Sequence, residues 1–461
     1  MKFFIKKIIL FIINSEYHYI SALIIRIFIK ERCSNGKDKI IFSKPNNRIT
    51  ILALDSERYR GDLEVLASAP EFRVLHIKQK WQVLFLGRIY SDIYNLTLDD
   101  YFNAKPKDAI YNEILLAKKF TKKFLKKLIS MIGIDCVTTV NYRYIEDLDW
   151  TIAAENNNIP YILLYRECLL QKETRFYDDV KYRHSKYKFH GSHIVVHNDT
   201  CKDSFVESGY CKESDVTTVG ALRMDQYIKD TNKVIDNKNK RKTVVLFYFP
   251  YSMSLFGKRG KPPTSDYKYK YVYSIWKDRK LLFKDVHTAI AELSLDHPDI
   301  DFIIKPKKIM MDSKSWSYYE EVLKEIGFNR EEVENYSVNP YADVHKLMLN
   351  SDVICALQSS TVIESSISGK PIILPIFKNY RQTDNYKDFT WRRYTDLFTV
   401  ADDKNHFKKM ILESINKPPI DHAVLDKRKK VFKKFFNDIE GVSLIKYTDV
   451  IINIVNNRNN S

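Results

Sequence analysis

Apolar residues fall along this chain in short continuous runs separated by amphipathic stretches, the pattern of buried parallel strands alternating with helices. Asn47 to Asp55 (NRITILALD) reads as the first such strand, followed by a polar turn, Asp55-Ser56-Glu57-Arg58-Tyr59-Arg60-Gly61-Asp62, and the helix-like LEVLASA. Further strands are predicted at Ile134 to Val140, Ile159 to Leu164, Ser192 to His197, Thr243 to Phe249 and Asp301 to Lys305. Helical periodicity marks 110–132, 147–157, 198–208 and 280–295, and two helical stretches near the end are split by Gly441. The alternation predicts an α/β protein with parallel sheets. A polar, aperiodic stretch at 229–242 (KDTNKVIDNKNKRK) reads as the linker. The expected layout is an N-terminal amphipathic segment (1–46), a first domain (47–228), a second domain (243–425) and returning C-terminal helices (426–461).

The segment Asp352 to Phe377 (DVICALQSSTVIESSISGKPIILPIF) is the most informative. It reads as a buried strand from Val353 to Leu357, a turn Gln358-Ser359-Ser360-Thr361, a helix, and a second apolar strand after Gly369-Lys370-Pro371. Free amides at a helix start and hydroxyls beside them, at the carboxyl end of a parallel strand, make a phosphate cradle. Glu364 falls three residues after Thr361, placed either to close a capping box or to accept a ribose hydroxyl one turn in. An ordinary capped helix fits these residues equally well.

This string resembles the nucleotide-binding segment of the two-domain glycosyltransferase B architecture, which implies two Rossmann-like domains facing a cleft. It is most similar to the branch that holds bacterial surface-carbohydrate and capsule proteins, teichoic-acid glycerophosphotransferases and nucleotide-sugar 2-epimerases. The resemblance implies that Ser359, Ser360 and Thr361, with Gln358 beside them, hold a donor's phosphates and that Glu364 holds its ribose. Relatives often carry a Lys-Pro-His-Pro-like string where this chain has Lys305-Pro306-Lys307-Lys308, which leaves Lys305 and Lys307 as point charges for phosphate. Val219-Gly220-Ala221-Leu222-Arg223-Met224-Asp225 is similar to the motif that closes the first domain in that branch, and VFKKFFNDIEGVSLIKYTDVIINIV resembles its terminal helices. The implied substrate is a nucleotide sugar, with no cofactor and no metal. The implied reaction is transfer of a sugar to a surface polysaccharide or lipid-linked glycan. A glycerophosphotransferase, a 2-epimerase and a non-catalytic glycan-binding protein remain open beside it.

Charge modifies this picture. The 461 residues, enough for more than one core, carry 75 Lys and Arg against 58 Asp and Glu, a net +17 that suits anionic partners. No basic stretch with interleaved aromatics matches a nucleic-acid module, so nucleic acid is not an expected partner. Six cysteines without a CxxC pair suggest neither a disulfide scaffold nor a zinc site. Met1 to Arg32 is apolar and basic together, with Lys2, Lys6, Lys7, Arg26, Lys30 and Arg32 around runs too short to span a bilayer. Such a segment either lies in a membrane interface or packs on the protein's own core. A cytoplasmic location is expected, peripheral on the inner face of the membrane in the first case.

Candidate catalytic groups sit where strands of the first domain end. Asp55 and Glu167 are the candidate bases. Arg60, Gly61 and Arg166 are candidate contacts for an acceptor or phosphate, as is Ser252 after the strand at 243–249. His184, His190, His193 and His197 do not complete a metal set, because only His193 and His197 would share a strand face. His190 and His193 remain candidates for an acid or a phosphate contact.

Overall fold

A computed structural model of the chain describes residues 2–41, 47–233, 241–251, 266–382, 386, 389–416 and 420–459. The fold is mixed α/β with two largely parallel sheets, and the chain divides into two compact units. The first is Met1–Asp225 with Phe436–Ser461, and the second is Gln226–Phe435.

The sheet of the first unit contains β1 (Lys30–Arg32), β2 (Asp38–Ile40), β3 (Ile49–Ala53), β4 (Phe72–His76), β5 (Cys136–Thr139), β6 (Tyr161–Leu164), β7 (His193–Val196) and β8 (Val216–Thr218). Their order is β2-β1-β4-β3-β5-β6-β7-β8. From β4 to β8 every pairing is parallel, and β1 runs antiparallel to β2 and to β4. All residues of β5 and β6 are buried, as two-sided cover by helices requires. The long helix Ala109–Ile132 buries Ile114, Ala117, Phe120, Thr121, Phe124, Leu125, Leu128 and Ile132, a three- and four-residue repeat that forms one stripe. Gly133 ends it at φ 67°, the left-handed conformation that favours glycine.

The N-terminal segment is part of this unit. Helices Lys2–Asn14 and His18–Phe28 bury Ile9, Ile12, Ile13, Ala22 and Ile25 in the same core as Phe120, Phe124 and Trp150. Lys30 to Arg32, which read as part of the amphipathic segment, instead form a strand between β2 and β4.

The C-terminal helix Ser443–Asn459 also joins the first unit, burying Tyr447, Ile451 and Val455 against Ile51, Val74 and Ile162. Asp225 fixes its start by accepting the amides of Ser443 (3.1 Å) and Leu444 (2.8 Å). Gly220 is required at this contact: at φ 118° an added Cβ would lie 2.7 Å from Ser443 Oγ and 3.0 Å from the Phe436 carbonyl.

The second unit contains β9 (Lys242–Phe247), β10 (Ile300–Lys305), β11 (Tyr336–Val338), β12 (Val353–Cys355), β13 (Ile372–Leu374) and β14 (Thr399–Val400). All are parallel, in the order β11-β10-β9-β12-β13-β14. Taken by position in the chain this is 3-2-1-4-5-6, the doubly wound order whose switch point lies between the first strand and the fourth.

Candidate functional site

In the second unit the switch point lies between β9 and β12, and the Gln358–Thr361 turn follows β12 within a few residues. The sequence therefore puts its small polar residues where an open α/β sheet leaves a crevice outside its strand ends. The helix that follows is a single turn, Thr361–Glu364, continued as a 3-10 turn over Ser365–Ile367. No capping box forms. Ser360 occupies the cap position in a right-handed helical conformation and makes no side-chain cap hydrogen bond. A reciprocal box needs an extended cap residue, and here the helical turn has already begun at Ser360. Ser359 Oγ accepts the Thr361 amide at 3.4 Å. The Thr361 Oγ1 atom is buried without a hydrogen-bond partner among the described residues. Gln358, Ser359 and Ser360 are half-buried.

Glu364 is buried, and its Oε2 lies 3.7 Å from His345 Nε2. The His345 ring in turn stacks on Tyr227, with centroids 4.5 Å apart and planes at 18°. Sequence reading missed both residues, since neither falls in a motif and only the fold brings them to Glu364. Lys305 ends β10, but its ammonium donates to the carbonyls of Pro306 (3.0 Å) and Pro340 (2.9 Å). Burial lowers its pKa. Lys307 is exposed two residues further on. Ser252 lies outside the described residues.

The first unit has a switch point of its own, between β3 and β5. There Asp55 is buried with φ 46°, and its backbone amide donates to Gln82 Oε1 at 3.0 Å. Arg58 Nε pairs with Asp55 Oδ2 at 2.7 Å, and its guanidinium stands 3.7 Å from Glu146 and 4.0 Å from Asp147. The same guanidinium lies 3.3 Å above the Tyr144 ring. Three carboxylates thus share one arginine. Burial raises the Asp55 pKa against the pull of Arg58, and it pushes fully enclosed Asp147 up to about 7. Gln82 holds Asp147 in place, donating to its Oδ1 at 2.6 Å. Neither Glu146 nor Asp147 stood out in the sequence; both are first-turn charges of the helix Ile145–Glu155, an ordinary place for acidic residues.

Arg60 is exposed in the left-handed region at φ 49°, and Gly61 follows at φ 103° with open space around it. Arg166 is half-buried, donating to the Arg58 carbonyl and pairing with Asp62 at 2.9 Å. Glu167 is exposed after β6. Asp55, Arg60, Gly61, Arg166 and Glu167 therefore all follow the carboxyl ends of β3 and β6. His190 and His193 do not join them. They lie at the amino end of β7, the opposite edge of a parallel sheet. His190 Nε2 is 2.8 Å from Thr151 Oγ1, and His193 Nε2 is 2.9 Å from Thr217 Oγ1. Burial lowers His190 to about 4.

No family model matches the chain, and no curated protein sequence matches it. Solved structures similar to it include the UDP-GlcNAc 2-epimerase of Neisseria meningitidis bound to UDP-GlcNAc, at 13% identity and a TM-score of 0.45 over 87% of this chain and 99% of that one. A UDP-forming trehalose-phosphate synthase of Burkholderia xenovorans gives 11% and 0.42 over 89% and 99%. HepE of Anabaena, in complex with UDP and glucose, gives 10% and 0.41 over 88% and 100%. The two strand orders define the fold.

Proposed function

We propose that this chain is a glycosyltransferase that moves a sugar from a nucleotide-sugar donor to a bacterial surface polysaccharide or lipid-linked glycan. One observation carries the reading. The turn Ser359–Thr361 follows the strand at which the order of the second sheet reverses, with a buried Thr361 hydroxyl that no described side chain or backbone group engages. In this reading Ser360 and Thr361 hold the diphosphate, Glu364 takes the ribose and His345 positions the Glu364 carboxylate. Lys307 supplies charge for the leaving phosphate, and Lys305 shapes the loop that follows β10. Asp55 and Glu167 are the candidate bases for the acceptor hydroxyl, and Arg60, Gly61 and Arg166 are its candidate contacts. The reading calls for no bound metal. A lipid-linked acceptor would bring the protein to the inner face of the membrane.

A second reading, nucleotide-sugar 2-epimerase, is favoured by the three carboxylates gathered on Arg58, since acid–base chemistry on a sugar carbon uses paired carboxyl groups. A thermal-shift panel of UDP-, CMP-, CDP- and GDP-linked donors, followed by product analysis, separates the alternatives. Transfer predicts stabilisation by a nucleotide sugar and turnover only with an acceptor. Epimerisation predicts a changed sugar with no acceptor present. Selectivity for CDP-glycerol would replace both with a glycerophosphotransferase, and no shift with any nucleotide would leave a glycan-binding protein.

A further inference from the structure

The helices Lys2–Asn14 and His18–Phe28 bury one side in the first unit and leave the other bare. Ile8, Phe11, Tyr17, Tyr19, Ile20, Leu23 and Ile27 are all exposed, Phe11 at 61% and Ile27 at 66%. Ile20, Leu23 and Ile27 follow one another at three and four residues, so they share a face of their helix. That face is opposite Ser21, Ala22 and Ile25, which are buried. Phe11 and Tyr17 join the two helices with ring centroids 5.8 Å apart. An exposed apolar patch of this extent marks an interaction surface rather than ordinary scatter.

The adjoining surface says what the partner is. On the helix Ala109–Ile132 the solvent face carries Lys119, Lys122, Lys123, Lys126 and Lys127, every one exposed. This ridge meets the apolar face at Glu16, in the turn between the two N-terminal helices, which pairs with Lys119 at 2.6 Å and Lys123 at 2.7 Å. Lys7 and Arg26 add charge on the helices themselves, and Lys30 follows at the start of β1. An apolar face bordered by lysines suits an anionic bilayer: the aliphatic and aromatic groups enter the acyl boundary and the ammonium groups meet lipid phosphates.

We propose that the two N-terminal helices and the lysine ridge of Ala109–Ile132 form one docking surface for anionic phospholipid membranes. The sequence suggested only the first segment; the ridge, about 90 residues later in the chain, joins it through the fold. This surface is independent of the nucleotide reading, since none of its residues belongs to the second unit.

The test is flotation of the full chain with vesicles of phosphatidylcholine alone or with phosphatidylglycerol added. Flotation with the anionic vesicles is expected, falling at least tenfold on raising salt across the Debye regime. The pair Ile20→Glu with Leu23→Glu should abolish it. The triple change Lys122→Glu, Lys126→Glu, Lys127→Glu should reduce it at least tenfold. All five positions are exposed, so unchanged melting confirms that the variants are folded. Equal flotation of parent and variants would overturn the proposal. So would a parent that ignores vesicles but is a dimer by light scattering, dissociated by Ile20→Glu, because the face would then join two copies. UDP titration of the same samples keeps the two readings apart, being unaffected by these changes whichever way flotation turns out.

Discussion

Replacing Ser360 and Thr361 together by alanine separates a ligand cradle from a folded turn, because the structure assigns their hydroxyls so little structural work. Ser360 makes no cap hydrogen bond, so the usual loss of about 1 kcal/mol for removing a cap does not apply. Thr361 Oγ1 has no partner among the described residues to lose. Thr→Ala also gains helix propensity of up to about 0.7 kcal/mol. The net change in stability should stay below about 1 kcal/mol, or a shift of no more than about 2–4 °C for a unit of this size. A hydroxyl bonded to an ionised phosphate contributes about 1.5–3 kcal/mol, so losing one such bond weakens binding about 10- to 150-fold. Isothermal titration with UDP or the best donor of the panel reads the affinity, and calorimetric melting reads the fold. Ser365→Ala is the reverse control. Its hydroxyl donates to the Thr361 carbonyl at 2.6 Å, so it should lower the melting temperature without a comparable loss of affinity. Unchanged affinity in the folded double variant would refute the cradle. A melting point lowered by many degrees would show that the turn is structural.

The remaining expectations concern the first unit. Asp55→Asn should lower turnover by about 10²–10⁴-fold with donor affinity nearly unchanged if Asp55 is the base, and Glu167→Gln should do so if Glu167 is; steady-state kinetics beside titration decides, and full turnover in both discards the assignment. Asp147 carries a folded pKa of about 7, raised by burial from 3.8, so the native state holds a proton that the unfolded chain releases. Its contribution to stability therefore falls as pH rises from about 4 to 7, and Asp147→Asn should flatten that slope in urea titrations at stepped pH. Part of the slope should survive, because burial also pushes Asp149 up to about 6. Asp225→Ala removes the acceptor for two amides at the start of Ser443–Asn459 and should cost about 1–2 kcal/mol, with faster hydrogen exchange in that helix. Unchanged exchange would show that apolar packing alone docks the helix.

Long, strongly apolar runs were legible in the sequence. The strands at 49–53, 136–139, 161–164, 193–196, 242–247 and 353–355 are buried along nearly their whole length, so their composition alone reveals them, and the strand at 300–305 alternates buried with half-buried residues at a period of two. β1, β2, β4, β11 and β14 were not read: four of them are two or three residues of charged or mixed character without a period, and in β4 (FRVLH) Arg73 and His76 break the apolar run. Tertiary pairing makes them strands. The turn at Gln358–Thr361 was legible because its chemistry is local. Arg58 with Glu146 and Asp147, and His345 with Glu364, were not: their partners are 88, 89 and 19 positions apart, and only the folded sheets bring them together.

A crystal structure of the protein soaked with UDP or a UDP-sugar tests the central claim most directly. The account predicts the diphosphate against the amides and hydroxyls of Ser360 and Thr361, and the ribose hydroxyls on Glu364, beside the carboxyl ends of β9 and β12. A nucleotide bound at any other edge of either sheet would contradict it.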